Sequence, residues 1–198
     1  MSLQYNKEEM VESVIVPVGL RRFSVEEYHL MSAAGVFERN ERVELIRGVI
    51  RQMSPKGRRH VIAVSKATEL FVLALTGRAR VYVQDPMTSE RLHSEPEPDL
   101  CIVSNPDPQT YGTPEARPLL VVEVSDSSLD YDRTEKLSLY ADAGIPEYWI
   151  VNLVDDVVEV FRDLAAGTYR SHTTAGCEDS IQPLAWPDLE IKISDLLP

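Results

Sequence analysis

Leu119-Leu120-Val121-Val122-Glu123-Val124 is an apolar stretch that a single carboxylate interrupts. Five aliphatic residues out of six predict a β-strand that is buried on both faces of a sheet. An unpaired charge buried there would cost on the order of several kcal/mol, so Glu123 needs compensation. The compensation is a paired cation, a raised pKa or a bound metal ion, and a second acid nearby favours the metal.

That second acid opens the preceding apolar run, Pro98-Asp99-Leu100-Cys101-Ile102-Val103. If the two runs are adjacent antiparallel strands, the start of one lies opposite the end of the other. Asp99 and Glu123 would then reach the same edge of the sheet, where two carboxylates with water and substrate oxygens suit Mg²⁺. The alternative is that Asp99 only caps a loop, as acids after proline often do.

Length and composition predict one domain over residues 23–198, preceded by a flexible tail over residues 1–22. The chain has 198 residues, of which 43% are hydrophobic and 26% charged, as in ordinary globular proteins. The tail lacks the apolar segment of a signal peptide, and no apolar stretch approaches the roughly 20 residues that span a bilayer. Cys101 and Cys177 lie in no metal-binding or disulfide pattern, which favours a cytoplasmic location.

The formal net charge of −12 argues against a protein that holds nucleic acid by bulk electrostatics. It does not exclude a metal-dependent nuclease, because bound ions offset part of the acidic charge. Any surface for nucleic acid must then be local, and the basic cluster Lys56-Gly57-Arg58-Arg59-His60 is the candidate. The alternative is a solvated loop that enters a helix, with His60 satisfied by local hydrogen bonds.

Capping and turn signals divide the chain into helices and strands. Ser24 to Glu27 and Asp132 to Glu135 match capping boxes, which predict helices that end near Gly35 and Gly144. Arg47-Gly48 is flanked by two apolar runs and predicts a β-hairpin, and a further helix is expected over about residues 59–75. With later strands at 148–151 and 157–161, this order predicts an α/β fold, in which helices flank one mixed sheet.

Two further residues join the acids. Glu44 lies among the aliphatic residues of the hairpin, and Lys136 lies near the start of the helix after the Glu123 strand. Glu44 could instead pair with Arg42 or Arg51, and Lys136 could be a solvated lysine. Carboxylates with one lysine suit phosphodiester hydrolysis, since metal ions neutralise the phosphate and the amine acts on the nucleophile or the developing charge. No Ser/His/Asp arrangement and no phosphate-binding glycine loop competes with this interpretation.

From about Phe23 to Pro198 the sequence resembles the Uma2 family, a bacterial group with a restriction-endonuclease-like fold of the PD-(D/E)XK type. The stretches that carry the resemblance are Val43-Glu44-Leu45-Ile46-Arg47-Gly48, Met53-Ser54-Pro55 followed by His60, Glu97-Pro98-Asp99-Leu100, Val121-Val122-Glu123-Val124-Ser125, Lys136-Leu137-Ser138-Leu139-Tyr140 and Gly144-Ile145-Pro146-Glu147-Tyr148-Trp149.

The resemblance implies an endonuclease in which Glu44, Asp99 and Glu123 are metal-binding acids. It also implies a restriction endonuclease-like sheet, here with additional C-terminal strands. The superfamily lysine would stand two residues after Glu123, but that position is Ser125. In Uma2-like sequences a lysine on the following helix takes its place, and Lys136 occupies that position here.

The sequence therefore predicts hydrolysis of phosphodiester bonds, with DNA as the expected substrate and Mg²⁺ or Mn²⁺ bound by Asp99 and Glu123. Glu44 and Lys136 complete the catalytic set, and the basic cluster contacts the nucleic acid. By analogy with such nucleases we expect a homodimer, formed through the apolar C-terminal strands. The competing hypotheses are a non-catalytic binding module that retains the nuclease fold, and an interaction domain whose acids bind a structural cation or a basic partner.

Overall fold

The structure, a computed structural model, describes residues 19–104, 107–110, 112 and 116–198. Most of the predicted tail, residues 1–18, lies outside the described residues, as do residues 105–106, 111 and 113–115. None of the helices in the described part of the chain combines the length and apolar character that crossing a membrane requires.

The helices are α1 (Val25–Ala33), α2 (Arg58–Leu75), α3 (Leu129–Tyr131) and α4 (Leu137–Asp142), and a π-helical turn, Asp132–Lys136, joins α3 to α4. The strands are β1 (Val43–Ile46), β2 (Val49–Gln52), β3 (Arg80–Val83), β4 (Leu100–Val103), β5 (Pro118–Ser125), β6 (Tyr148–Asn152), β7 (Val157–Ala165), β8 (Thr168–Ala175), β9 (Ser180–Ile181) and β10 (Ile191–Lys192). Short 3₁₀ turns lie at Glu90–Leu92, Pro108–Thr110 and Ile193–Asp195.

Six strands form the central sheet, in the order β3-β4-β5-β6-β7-β8. The pair β5–β6 is parallel, because the helical segment over residues 129–142 carries the chain back between them, and the other pairs in this sheet are antiparallel. The predicted mixed sheet flanked by helices is confirmed, as are the β1–β2 hairpin and the additional C-terminal strands. The Ser24 capping box of α1 is confirmed as well.

Strand β5 is buried on both faces, as its apolar sequence predicts. Leu120, Val122 and Val124 pack in the core that includes α2, whereas Val121 packs on the opposite face with Tyr140 and Tyr148. Because side chains alternate along a strand, Glu123 shares the face of Val121. Its carboxylate therefore lies under the helical segment that carries Lys136.

The antiparallel pairing of β4 with β5 aligns Leu100 with Val122. Asp99, one residue before Leu100, therefore stands beside Glu123, one residue after Val122. The predicted adjacency of the two strands is confirmed, and with it the approach of the two acids at one edge of the sheet.

The predicted role of Asp132 as a helix cap is wrong. The helical segment begins at Leu129, and the Leu137 N–H donates to the Asp132 carbonyl across the π-helical turn. The Asp132 carboxylate is buried and accepts hydrogen bonds from Ser125 Oγ and Ser128 Oγ, at 2.6 Å each. Tertiary packing of this acid beneath the segment thus overrides the local capping pattern.

Candidate active site

The β1–β2 hairpin brings Glu44 to the edge of the central sheet. Leu45 exchanges backbone hydrogen bonds with Glu95, which docks the hairpin on the segment before β4. Glu44 lies on the buried side of β1, and one of its carboxylate oxygens accepts a hydrogen bond from the Lys136 amine at 2.8 Å. The buried Lys136 amine thus explains why an acid, Glu44, occurs in an otherwise apolar hairpin strand.

Lys136 lies between two carboxylates. Its amine donates to Glu44 Oε2 at 2.8 Å and to Glu123 Oε1 at 3.2 Å. Glu44, Glu123 and Lys136 are only 4%, 5% and 3% exposed, so the three groups form a buried charged cluster. Burial alone would lower the pKa of the Lys136 amine, but the two carboxylates outweigh it and raise the pKa above its ordinary value. Lys136 therefore stays protonated.

Glu123 accepts two further hydrogen bonds. Tyr140 Oη donates to Glu123 Oε1 at 2.6 Å, and the Asp99 N–H donates to Oε2 at 3.2 Å. Burial raises the pKa of Glu123 to about 8, even though Lys136 and Tyr140 favour its charged form. Burial therefore makes Glu123 easier to protonate than an exposed glutamate, and the buried Lys136 amine is the cation that offsets its charge when it is ionised.

Asp99 is held by hydrogen bonds on both oxygens. His60 Nε2 and the Val124 N–H lie 3.0 and 2.9 Å from Oδ2, and the Gln84 amide donates to Oδ1 at 2.8 Å. Burial would raise the pKa of Asp99, but the contact with His60, followed by those with Gln84 and Val124, lowers it below the usual value. Burial therefore shifts the pKa of Glu123 upwards, whereas hydrogen bonding shifts the pKa of its neighbour Asp99 downwards.

These side chains form the floor of one cleft with a volume of ≈ 280 Å³. Six carboxylates line it, those of Glu44, Glu97, Asp99, Glu123, Asp126 and Asp132. Four cationic side chains line it as well, those of Arg42, Arg51, Lys56 and Lys136. With all of them ionised, the cleft carries an excess of two negative charges, which one divalent cation would balance.

The donor set fits such an ion. Asp99 and Glu123 present hard carboxylate oxygens from adjacent strand positions, and Mg²⁺ is commonly bound by one or two carboxylates with water and phosphate oxygens. Among the described residues, no three acidic, histidine or cysteine side chains already converge as a complete ligand cage. Asp99 and Glu123 are therefore the two carboxylates on which such an ion would draw, in competition with their present hydrogen bonds.

The predicted basic cluster is divided by the start of α2. Lys56 and His60 line the cleft, whereas Arg58 and Arg59 are not among its lining residues. Arg59 points to the other side, where it donates to the Leu153 carbonyl and pairs with Asp156. His60 Nδ1 is buried and has no hydrogen-bond partner among the described residues.

Sequence reasoning did not assign site roles to Gln84 and Tyr140, which hydrogen-bond the two acids. Tyr140 follows Lys136 by four residues, and this spacing on one helix face was the signal available for it. Gln84 has a left-handed backbone (φ 57°) directly after β3, and its N–H donates to the Pro98 and Asp99 carbonyls. Nothing in its sequence neighbourhood indicates that turn.

Comparisons with known proteins agree with this architecture. A family model described as "Uma2: Putative restriction endonuclease" matches residues 25–194. A crystal structure of a "putative nuclease" from Anabaena variabilis ATCC 29413 superposes with a TM-score of 0.67 at 16% sequence identity, over 88% of this chain and 97% of that one. At that identity the likeness shows the fold, and it confirms the predicted fold class. No curated protein matches the chain.

Proposed function

The chain belongs to the Uma2 family, and from this premise we propose that it is a metal-dependent nuclease that hydrolyses phosphodiester bonds in DNA. The observation that carries the proposal is the Lys136 amine between Glu44 and Glu123, beside Asp99, on the floor of an open cleft. Buried charges that contact a cleft are costly for stability, and they are characteristic of functional sites.

Asp99 and Glu123 would hold Mg²⁺ or Mn²⁺, and Glu44 would support the ion or its water. When bound, such an ion supplies positive charge at the scissile phosphate and makes a coordinated water more acidic. Glu123 must then release the proton that its burial favours, because carboxylates bind metals in the ionised form. The hydrogen bonds from His60 and Gln84 to Asp99 orient that carboxylate, as supporting residues commonly do at metal sites.

Lys136 acts as an electrostatic group in this proposal. Because its pKa is raised, the amine remains an ammonium ion and does not serve as a general base. A fixed ammonium ion can stabilise the negative charge that develops on the phosphate oxygens during attack by water. The water oxygen bonds to phosphorus, and the bond from phosphorus to one sugar oxygen breaks. The attacking water releases one proton to solvent, and the leaving alkoxide takes one proton up from solvent.

The position after Glu123 where the superfamily has its lysine is used differently here. Ser125 is buried, and its hydroxyl donates to the Asp132 carboxylate. Asp132 in turn opens the π-helical turn that ends at Lys136. We propose that Ser125 and Asp132 support the turn from which Lys136 reaches Glu123.

A non-catalytic DNA-binding module is the second candidate, and one observation favours it. The carboxylates of Asp99 and Glu123 are already satisfied by protein donors, so a cation must compete with those hydrogen bonds. In that case the protein would bind DNA without cutting it. The homodimer and the cytoplasmic location stay predictions.

The test is cleavage of supercoiled plasmid DNA by the purified protein with Mg²⁺, with Mn²⁺ and with a chelator. We expect metal-dependent cutting that falls by about 10²-fold or more in Glu123→Gln and Lys136→Met, as for loss of a transition-state contact. Glu147→Gln is the matched control, because Glu147 is a buried acid that pairs with Arg162 and does not line the cleft.

Cutting that persists in Glu123→Gln would come from a contaminant and would remove the hydrolase proposal. A wild-type protein that binds DNA and metal but never cuts would favour the binding module. Thermal unfolding of each variant shows whether a lost activity reflects a lost fold.

A further inference from the structure

Arg51 lies flat against an aromatic ring at the rim of the cleft. Its guanidinium carbon is 3.7 Å from the centroid of the Tyr131 ring, and both residues line the cleft. Arg51 stands on β2 directly opposite Glu44, the residue that contacts the Lys136 amine. The stacked arginine is therefore only one strand away from the proposed catalytic cluster.

The four cations of the cleft differ in how they are neutralised. Lys136 pairs with two carboxylates, and Arg42 pairs with Glu97 at 3.0 Å. Arg51 and Lys56 form no ion pair with any carboxylate among the described residues, although six acids line the same cleft. These two side chains therefore offer positive charge that the described protein does not itself use.

The surroundings of Arg51 suit a phosphate group. Stacking on Tyr131 occupies the face of the guanidinium and leaves its in-plane N–H groups for an acceptor, and a guanidinium matches two phosphate oxygens in a bidentate contact. Stacking also reduces the conformational freedom that a long exposed side chain would lose on binding. Arg51 is thus preorganised for an oxyanion.

Lys56 lies farther along the same rim, in the connection between β2 and α2. Its side chain is exposed and forms no ion pair among the described residues, although Glu97 and Asp99 line the same cleft. An anion bound on this rim would therefore meet an ammonium group that is not already paired.

We propose that Arg51, stacked on Tyr131, and Lys56 bind phosphates of one nucleic-acid strand next to the phosphate that lies at Lys136. This site rests on the proposed function, because it positions the strand for that cleft, but it binds through phosphate charge and not through the hydrolytic step. For a chain of net charge −12, a few local contacts of this kind must carry most of the affinity for a polyanion.

The test is fluorescence anisotropy of labelled single-stranded and duplex DNA, and of RNA of the same sequence, with Ca²⁺ in place of Mg²⁺ to suppress turnover. We expect Arg51→Gln and Lys56→Gln each to weaken binding by about five- to tenfold and to lower the salt slope by about one. Because the contacts are to phosphate oxygens, the loss on substitution should be similar for DNA and RNA strands.

Arg170→Gln is the matched control, since Arg170 is an exposed arginine on β8 that forms no ion pair among the described residues and does not line the cleft. It should bind as the wild type does. Tyr131→Phe keeps the ring and should retain affinity, whereas Tyr131→Leu should weaken binding as Arg51→Gln does. A purely structural role of Tyr131 would instead lower stability without changing the salt slope.

The proposal is overturned if Arg51→Gln binds with the affinity and salt slope of the wild type, or if the wild type binds no nucleic acid at low salt. The two proposals fail separately. Loss of binding in Arg51→Gln by a protein that never cuts DNA would support the phosphate site and remove only hydrolysis. Unchanged binding in Arg51→Gln by a protein that does cut would remove only the phosphate site.

Discussion

Glu123 is a buried acid whose environment favours the proton over the charge. Its surroundings explain this: apolar strands enclose it, and the charges of Asp132 and Asp99 oppose its ionisation, against the attraction of Lys136. The sequence alone indicated Glu123 as a candidate site residue, because a charged residue is unexpected within a run of aliphatic residues. Gln84 and Tyr140 are residue types that are not unusual in their sequence surroundings. Their contacts with the two acids depend on tertiary geometry, which the sequence does not show.

The raised pKa of Glu123 predicts a pH dependence of stability. Between its ordinary pKa of 4.5 and the folded value of about 8, the native state retains a proton that the unfolded chain releases. The free energy of unfolding should therefore fall as pH rises through that window in metal-free buffer, and become flat above it. Urea unfolding at several pH values measures this. Glu123→Gln should flatten the slope, and an unchanged slope in that variant would contradict the assignment.

Lys136 should be critical for folding because it is the cation between two buried acids. We expect Lys136→Met to lower the free energy of unfolding by about 3–5 kcal/mol, the cost typical of a broken buried ion pair. The double variant Glu44→Gln/Lys136→Met should recover much of the loss, since Glu123 can then remain protonated. Denaturant unfolding of the single and double variants checks this coupling, and simple additivity of the two losses would refute it.

At the scale of elements, the β1–β2 hairpin is tied to the segment that carries Lys136 by Arg47. From the hairpin turn, Arg47 donates to Glu135 at 3.0 Å, to Ser138 at 2.9 Å and to Asp142 at 2.6 Å. Glu44 contacts Lys136 from the same hairpin. The hairpin and the helical segment are therefore joined on both sides of Lys136.

Arg47→Gln should lower kcat for DNA cleavage by about tenfold, with a smaller change in KM, because the hairpin would hold Glu44 less firmly against Lys136. Arg47→Lys should recover part of the rate. Arg78→Gln is the control, since Arg78 forms a two-bond ion pair with Asp188 on the exposed surface. Steady-state kinetics of the three variants give the result, and equal effects of Arg47→Gln and Arg78→Gln would refute the positioning role.

The elements that the sequence predicted well are those with local signals. The Ser24 capping box and the Arg47-Gly48 turn depend on hydrogen bonds between residues that are close in sequence, and both are confirmed. The π-helical turn at Asp132–Lys136 does not, because its i→i+5 bonding depends on the burial of Asp132 against Ser125 and Ser128. Capping patterns describe helix ends exposed to water, and this acid is enclosed.

For the whole molecule, two of the twelve excess negative charges lie on the residues that line the cleft. The cleft has two more carboxylates than cations, so a divalent cation should bind there and stabilise the fold. We expect millimolar Mg²⁺ to raise the Tm of the wild type more at pH 8 than at pH 5, because protons compete for Glu123. Calorimetric melting measures the shift. A similar shift in Asp99→Asn would place the effect elsewhere on the surface.

The order of elements along the chain was enough to predict a mixed sheet flanked by helices, because each strand carries its own apolar run. It did not give the parallel β5–β6 pairing or the small β9–β10 sheet, whose strands are only two residues long. The approach of Asp99 to Glu123 followed from strand adjacency, whereas the position of Lys136 depends on how the helical segment packs across the sheet.

The central claim is that Asp99 and Glu123 hold a divalent cation beside Lys136. A crystal grown with Mn²⁺ and measured at a wavelength where manganese scatters anomalously tests it most directly. We expect an anomalous peak within about 2.2 Å of a carboxylate oxygen of each acid, with the Lys136 amine nearby. The proposal would be contradicted if manganese were absent from the cleft or bound only to surface acids, while Asp99 and Glu123 kept their present hydrogen bonds.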